Sequence, residues 1–102
     1  MPLTETIPAG QEVVTGTPVA SHRGLLDEGG GSLGIWEMSE GCVRDVEADE
    51  VFLVLAGRAV LEVGDEPAID LRPGVLVQLR DGDRTTWTVT HPLRKLYLQI
   101  PR

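Results

Sequence analysis

The placement of glycine and proline all but excludes helix. Twelve glycines and seven prolines are scattered through 102 residues, and the longest interval free of both runs from 42 to 56. A helix interior loses about 1 kcal/mol to a glycine and about 3 kcal/mol to a proline, so long helices do not fit between these breaks. The one open interval lacks the 3.6-residue apolar period a packed helix needs. It carries Val43, Val46, Val51, Phe52 and Val54 instead, branched and aromatic residues that suit a pleated surface. The sequence therefore predicts an all-β chain with little or no helix.

Strand-like runs recur between turn signals. "LGIWEMS" (33–39) stops at Gly41, "EVFLVLA" (50–56) at Gly57, "AVLEV" (59–63) at Gly64 and "AIDL" (68–71) at Pro73-Gly74. "VLVQL" (75–79) ends at "RDGD", "TWTVT" (86–90) at His91-Pro92, and "RKLYLQI" (94–100) closes the series. Short strands at regular spacing with Gly/Pro turns indicate a sandwich or barrel. "FLVLA" and "VLVQL" are apolar on both faces and read as central strands. "TWTVT" alternates, one face inward and one to water. Residues 1–32 read as an extended arm and a glycine-rich loop, and 33–102 as the barrel of a single structural domain.

Composition narrows the partners. Sixteen acids against nine bases give a formal net charge of -7, which repels phosphate backbones and argues against nucleic acid. No basic helix or long apolar segment argues for a membrane. The first residues lack a charged start and apolar run, so no secretory signal is predicted. Cys42 is the only cysteine, and beside Gly41 it reads as a small apolar filler in a reducing, cytoplasmic compartment. "GGGSLG" (29–34) fits a dinucleotide fingerprint in letters only, because the phosphate site needs a strand before it and a helix after it. A loop is the expectation there.

"GCVRDVEADEVFLVLAG" (41–57) sets Asp45, Glu47, Asp49 and Glu50 against a wall of apolar residues. The first three read as solvated charge in a connection, and Glu50 opens the strand. With one parity facing inward per strand, Glu50 shares a face with Phe52 and Val54; Thr85, Trp87 and Val89 share another; Lys95, Tyr97 and Gln99 a third. Lys95, the only lysine, reads as a solvated side chain because lysine is rarely buried. Trp36 and Trp87 read first as core. His22 reads as surface, and His91 before Pro92 as a turn.

Gly34-Ile35-Trp36-Glu37, Asp49-Glu50, Gly57, Pro73-Gly74, Trp87-Thr88-Val89 and Arg94-Lys95-Leu96-Tyr97 occur in the order seen in small one-domain cupins. More narrowly, residues 33–100 resemble the ureidoglycine aminohydrolase-like and ethanolamine-utilisation Q-like subgroup. The resemblance implies a double-stranded β-helix, the cupin jelly roll. It also implies a three-histidine, one-glutamate metal site, which this chain does not keep. Matching the family's E-x6-G on Glu50 and Gly57 puts Arg44 and Val46, or Val43 and Asp45, at the first two histidine positions. The third falls on Thr85. Only two histidines exist, His22 and His91, and His91 lies about 20 Å along an extended strand from Thr85.

No metal or other cofactor is therefore expected. The expected site is an apolar cup with a few polar groups: Arg44, Glu50, Phe52, Arg80, Thr85, Trp87 and Tyr97, holding a small polar organic molecule. If the chain is an enzyme of the aminohydrolase-like group, Glu50 is the residue expected to act, as general base or sole strong ligand. A third reading is a structural protein with a filled barrel. A homodimer through an edge strand or the arm is the expected assembly.

Overall fold

The computed structural model describes residues 12–100 and the backbone of Thr4 and Glu5; the remainder of the expected arm lies outside the described residues. Those residues form nine strands and no helix, so among them there is no helix long and apolar enough to cross a membrane. In chain order they are β1 (Thr4–Glu5), β2 (Glu12–Thr15), β3 (Ala20–Glu28), β4 (Gly31–Met38), β5 (Gly41–Val46), β6 (Glu50–Val63), β7 (Ile69–Leu71), β8 (Leu76–Leu79) and β9 (Arg84–Gln99).

The frame is an antiparallel ribbon of the two longest strands, β6 and β9, of 14 and 16 residues. It runs from Glu50 opposite Gln99 to Val63 opposite Thr85, with register breaks between Val54 and Ala59. The breaks divide the continuous sheet into two layers. In the first, the C-terminal half of β9 pairs with β4, β4 with β3, β3 with β1, and the N-terminal half of β6 with β8. In the second, the N-terminal half of β9 pairs with β5, β5 with β2, and the C-terminal half of β6 with β7. The layers face each other across the core, where Trp87 of the second lies 5.7 Å from Trp36 and 5.4 Å from Phe52 of the first, ring centre to ring centre. This is the jelly roll that the resemblance implies.

Gly57 makes the bend in β6. Its φ is +94°, and a side chain there would run into the backbone of Pro92 on β9. Bulges of this kind bend a strand and shift its inward parity. Before the bend Glu50, Phe52 and Val54 are buried; after it Ala59 and Leu61 are. The runs 50–56 and 59–63 expected as two strands are thus one strand, and so are 86–90 and 94–100. Gly57 and His91-Pro92 mark a bend rather than two turns because the partner ladder resumes beyond them.

Three other expectations change. Residues 20–28, assigned to the arm and loop, pair with β4 along their length, and Gly29 and Gly30, both at positive φ, close the hairpin. A two-residue turn with positive φ at both positions matches the twist of the strands it joins. "GGGSLG" is therefore a hairpin turn and the start of β4. Finally, "VLVQL" is not central: among the described residues β8 pairs only with β6, and Leu76 is 67% exposed. Its outward face, with Leu76, is left uncovered by the described residues.

Candidate functional site

Away from the bend, the space between the layers opens into a cavity of about 310 Å³. Trp36 and Trp87 form its apolar walls, and Glu47, Glu50, Lys95, Tyr97 and Gln99 bring polar groups to it. The registers explain the convergence. Lys95 stands opposite Trp36 on β4 and Val54 on β6, and Gln99 stands opposite Glu50. Directly opposed residues of an antiparallel pair share a face, so these groups project inward together.

The centre is a buried ion pair. Lys95 Nζ donates to Glu50 Oε2 at 2.6 Å, and each residue is 5% exposed. Gln99 Nε2 donates to Glu50 Oε1 at 3.4 Å. The ammonium also faces three rings, 4.5 Å from the centre of Phe52, 4.6 Å from Trp87 and 4.9 Å from Trp36. Ring faces attract a cation more strongly when it is desolvated. A buried charge is expensive unless it is paired; here one carboxylate and three rings replace the water that Lys95 loses.

Glu47 enters from the β5–β6 connection. That segment is pinned by the Glu47 amide on the Asp83 carbonyl at 2.9 Å and the Gly82 amide on the Glu47 carbonyl at 2.8 Å. Glu47 Oε2 accepts from Thr85 Oγ1 at 2.6 Å and from Trp87 Nε1 at 3.2 Å. Burial pushes the Glu47 carboxyl above its ordinary value and the Asp45 and Glu50 charges add to the rise, while the Thr85 hydrogen bond and the Lys95 charge oppose it. The Tyr97 phenol is also pushed up, by burial first and then by the charges of Glu50 and Asp27. Its ring occupies the space a side chain at Gly34 would need, which explains a glycine at a position of ordinary backbone geometry.

Of the expected site residues, the structure brings Glu50, Trp87 and Tyr97 to the cavity. Phe52 lies in the core against the Lys95 ammonium, and Thr85 is buried as the hydrogen-bond donor that holds Glu47. Arg44 and Arg80 do not join them. Arg44 is exposed opposite Thr86, because inward parity on β5 belongs to Val43 and Asp45. Arg80 is exposed in the β8–β9 turn, its amide donating to Asp83 Oδ2 at 2.8 Å. Lys95 and Glu47, expected in solvent, are at the centre, and His22 on β3, expected at the surface, lines the cavity opposite Trp36. Inward parity was a usable signal for Lys95. None existed for Glu47, which lies in an irregular connection.

The residues present do not suit the metal that the family pattern implies. The one retained ligand, Glu50, is occupied by an ammonium, and the third histidine position is Thr85, committed to Glu47. Val43 is buried in the core, and His91 sits exposed at the bend. Among the described residues no group of three or more His, Cys, Asp or Glu side chains could hold a metal ion.

Fold and site together define a cupin-type jelly roll whose interior charge is carried by an ion pair. Residues 25–97 match the EutQ-like cupin domain, and the chain belongs to that family. Its fold is similar to that of the Clostridium difficile EutQ protein, at TM-score 0.72 and 20% identity over 83% of this chain and 70% of that one. It is similar to a Rhizobium leguminosarum protein of unknown function at TM-score 0.73 and 20% identity, covering 81% and 82% of the two chains. A Salmonella typhimurium structure described as a putative ethanolamine utilization protein aligns at TM-score 0.70 and 16% identity, covering 80% and 69%. No curated protein sequence matches the chain.

Proposed function

We propose that the chain binds a small polar organic molecule in this cavity, with no metal taking part. The observation that carries the reading is the juxtaposition of a partnered ion pair, Lys95–Glu50, with an open cavity walled by Trp36 and Trp87. A few placed polar groups on aromatic walls are what small-ligand sites consist of. Glu47 Oε1 makes no hydrogen bond among the described residues, and Glu47 and Glu50 outnumber the one lysine. This supports a ligand carrying N–H donors, such as an amine, an amide or a ureido group.

A second reading, proton transfer, has one observation behind it. Glu47 is a carboxyl shifted upward by burial at the wall of a cavity, a common condition of a general acid or base. Glu50 suits that role less, since taking a proton would break its pair with Lys95. The fold does not choose between the readings: the same architecture, at 16% identity, occurs in a structure described as DMSP lyases, and function resides in sites rather than folds.

A thermal-shift screen of amines, ureido compounds, small carboxylates and sugars tests the proposal. A ligand at a hundred times its Kd stabilises by about 2.7 kcal/mol. The donor-bearing classes are expected to raise the melting temperature, and Glu47→Gln and Glu50→Gln are expected to weaken or abolish the response. A chain indifferent to all four classes at millimolar concentration would sink the binding reading.

A further inference from the structure

The Lys95 ammonium sits in a cage that other parts of the chain build. Its Nζ lies 4.5 Å from the centre of Phe52, 4.6 Å from Trp87 and 4.9 Å from Trp36. All three fall inside the roughly 6 Å over which a ring face attracts a cation. Trp36 and Phe52 are tilted by 49° and 42° from Trp87, so the rings wall the ammonium on different sides. Glu50 Oε2 closes the site at 2.6 Å. Glu50 and Phe52 come from β6, Trp36 from β4 and Trp87 from the other half of β9. Lys95 itself contributes only the stem and the charge.

The cage does not depend on Lys95 for its shape. Trp87 is oriented by its Nε1, which donates to Thr85 Oγ1 at 3.0 Å and to Glu47 Oε2 at 3.2 Å. Glu50 and Phe52 are fixed by pairing with Leu79 and Val77 of β8, and Glu50 also accepts from Gln99. Trp36 and Phe52 each pack against Trp87. A solute can reach the same place, because Trp36, Trp87, Glu50 and Lys95 all line the cavity of about 310 Å³. Aromatic cages are a recurring means of holding ammonium ligands, and a carboxylate adds a charge-assisted hydrogen bond for any ammonium that keeps an N–H.

We infer that Glu50, Phe52, Trp36 and Trp87 form a binding site for a primary alkylammonium ion, which the chain fills with its own Lys95. The Glu50 contact specifies a primary ammonium over a quaternary one, because it needs an N–H to accept. Lys95 is thereby a specificity-determining residue. While it is in place the ring faces are closed to cationic solutes, and the cavity beyond it is left to other ligands. Shortening Lys95 to alanine removes a fragment with the size and charge of n-propylammonium and leaves the cage with its carboxylate. The inference stands apart from the binding reading, whose preference for N–H donors rests on Glu47, outside the cage.

Thermal melts of Lys95→Ala with n-propylammonium chloride test this at about pH 8, where carboxylates and primary amines both keep their charges in water. The controls are n-propanol, which has the shape without the charge, and potassium chloride at matched ionic strength. A ligand at about nine times its Kd raises the folding constant about tenfold, and millimolar n-propylammonium is expected to do so for Lys95→Ala. The wild type, whose cage is full, is expected to respond at least tenfold more weakly, and Lys95→Ala/Glu50→Gln to lose the response. If Lys95→Ala does not fold in buffer alone, dilution from urea into n-propylammonium chloride is expected to restore the far-UV dichroism of the wild type, and dilution into potassium chloride is not. A Lys95→Ala chain that n-propylammonium neither stabilises nor refolds overturns the inference. So does a response matched by n-propanol, equalled by the wild type or kept by Lys95→Ala/Glu50→Gln.

Discussion

The interior of the barrel is built differently at its two ends. Toward the bend in β6 and β9 it is wholly apolar, with Met38, Ala59, Val89 and Leu93 packed at 3% exposure or less. Away from the bend the same inward positions carry Glu50, Thr85 and Lys95, also buried. Both ends exclude water from their side chains, but they reach stability by different means. The apolar end needs only volume and shape, so any hydrophobic residue of the right size serves. The polar end works only as a complete set, because each charged or hydroxyl group there depends on a named partner. An end that depends on such specific partners, beside an open cavity, is where the chain gives up packing for chemistry.

The largest contrast is expected from breaking the ion pair on one side. Lys95→Met leaves Glu50 buried without its cation and should destabilise the fold by about 3–5 kcal/mol. The double variant Lys95→Met/Glu50→Leu removes both charges and should recover most of that loss, since well-packed apolar replacements of buried pairs are often neutral or better. Urea denaturation of the wild type, both single variants and the double variant yields the coupling energy directly. A Lys95→Met variant within 1 kcal/mol of wild type would show that the pair is not the keystone of the polar end.

Next in size is a deletion at the apolar core. Leu61 is fully buried opposite Trp87 and Ile69. Leu61→Ala is expected to cost about 2–5 kcal/mol through lost transfer energy and the cavity left behind. The informative part is what does not change: the loss should be the same in low and high salt, whereas the Lys95→Met loss reflects a charge. A salt-dependent Leu61→Ala penalty would mean that the two ends are coupled through Trp87, which touches both.

This difference also explains what could be read from the sequence. Parity along a strand is visible in one dimension, so the inward faces Glu50–Phe52–Val54 and Thr85–Trp87–Val89 were legible, as was the all-β fold from its glycine and proline spacing. Partnership across 45 residues is not visible in one dimension, and that is the separation of Glu50 and Lys95. Parity offers Lys95 an inward position, but without its partner in view the habit of lysines, which is to stay in water, outweighs it. Glu47 was hidden for another reason: it sits between strands, where no parity rule applies, and backbone bonds to Gly82 and Asp83 together with side-chain bonds from Thr85 and Trp87 hold it inward. β8 differs for the opposite reason: two apolar faces suggest neighbouring strands on both sides, yet among the described residues β8 pairs only with β6 and Leu76 stays exposed.

The smallest effect is expected from Glu47, because the burial that raises its carboxyl is partly offset by Thr85 and Lys95. A carboxyl whose folded value lies above its unfolded one binds its proton more tightly in the folded chain. Its contribution to stability is therefore fully present below the ordinary glutamate value near 4.5, and is lost as pH rises through the higher folded value. Glu47→Gln keeps an acceptor for Thr85 and Trp87 but has no proton to lose, so this component of the pH dependence disappears. The variant should gain on the wild type as pH rises from 4 to 7, as seen in the difference between their urea midpoints. The apolar end predicts no such drift, and Leu61→Ala measured over the same range is the control. If the gap between Glu47→Gln and wild type stays constant across that window, Glu47 is solvated in the folded chain, and the cavity has lost the carboxyl on which its preference for N–H donors rests.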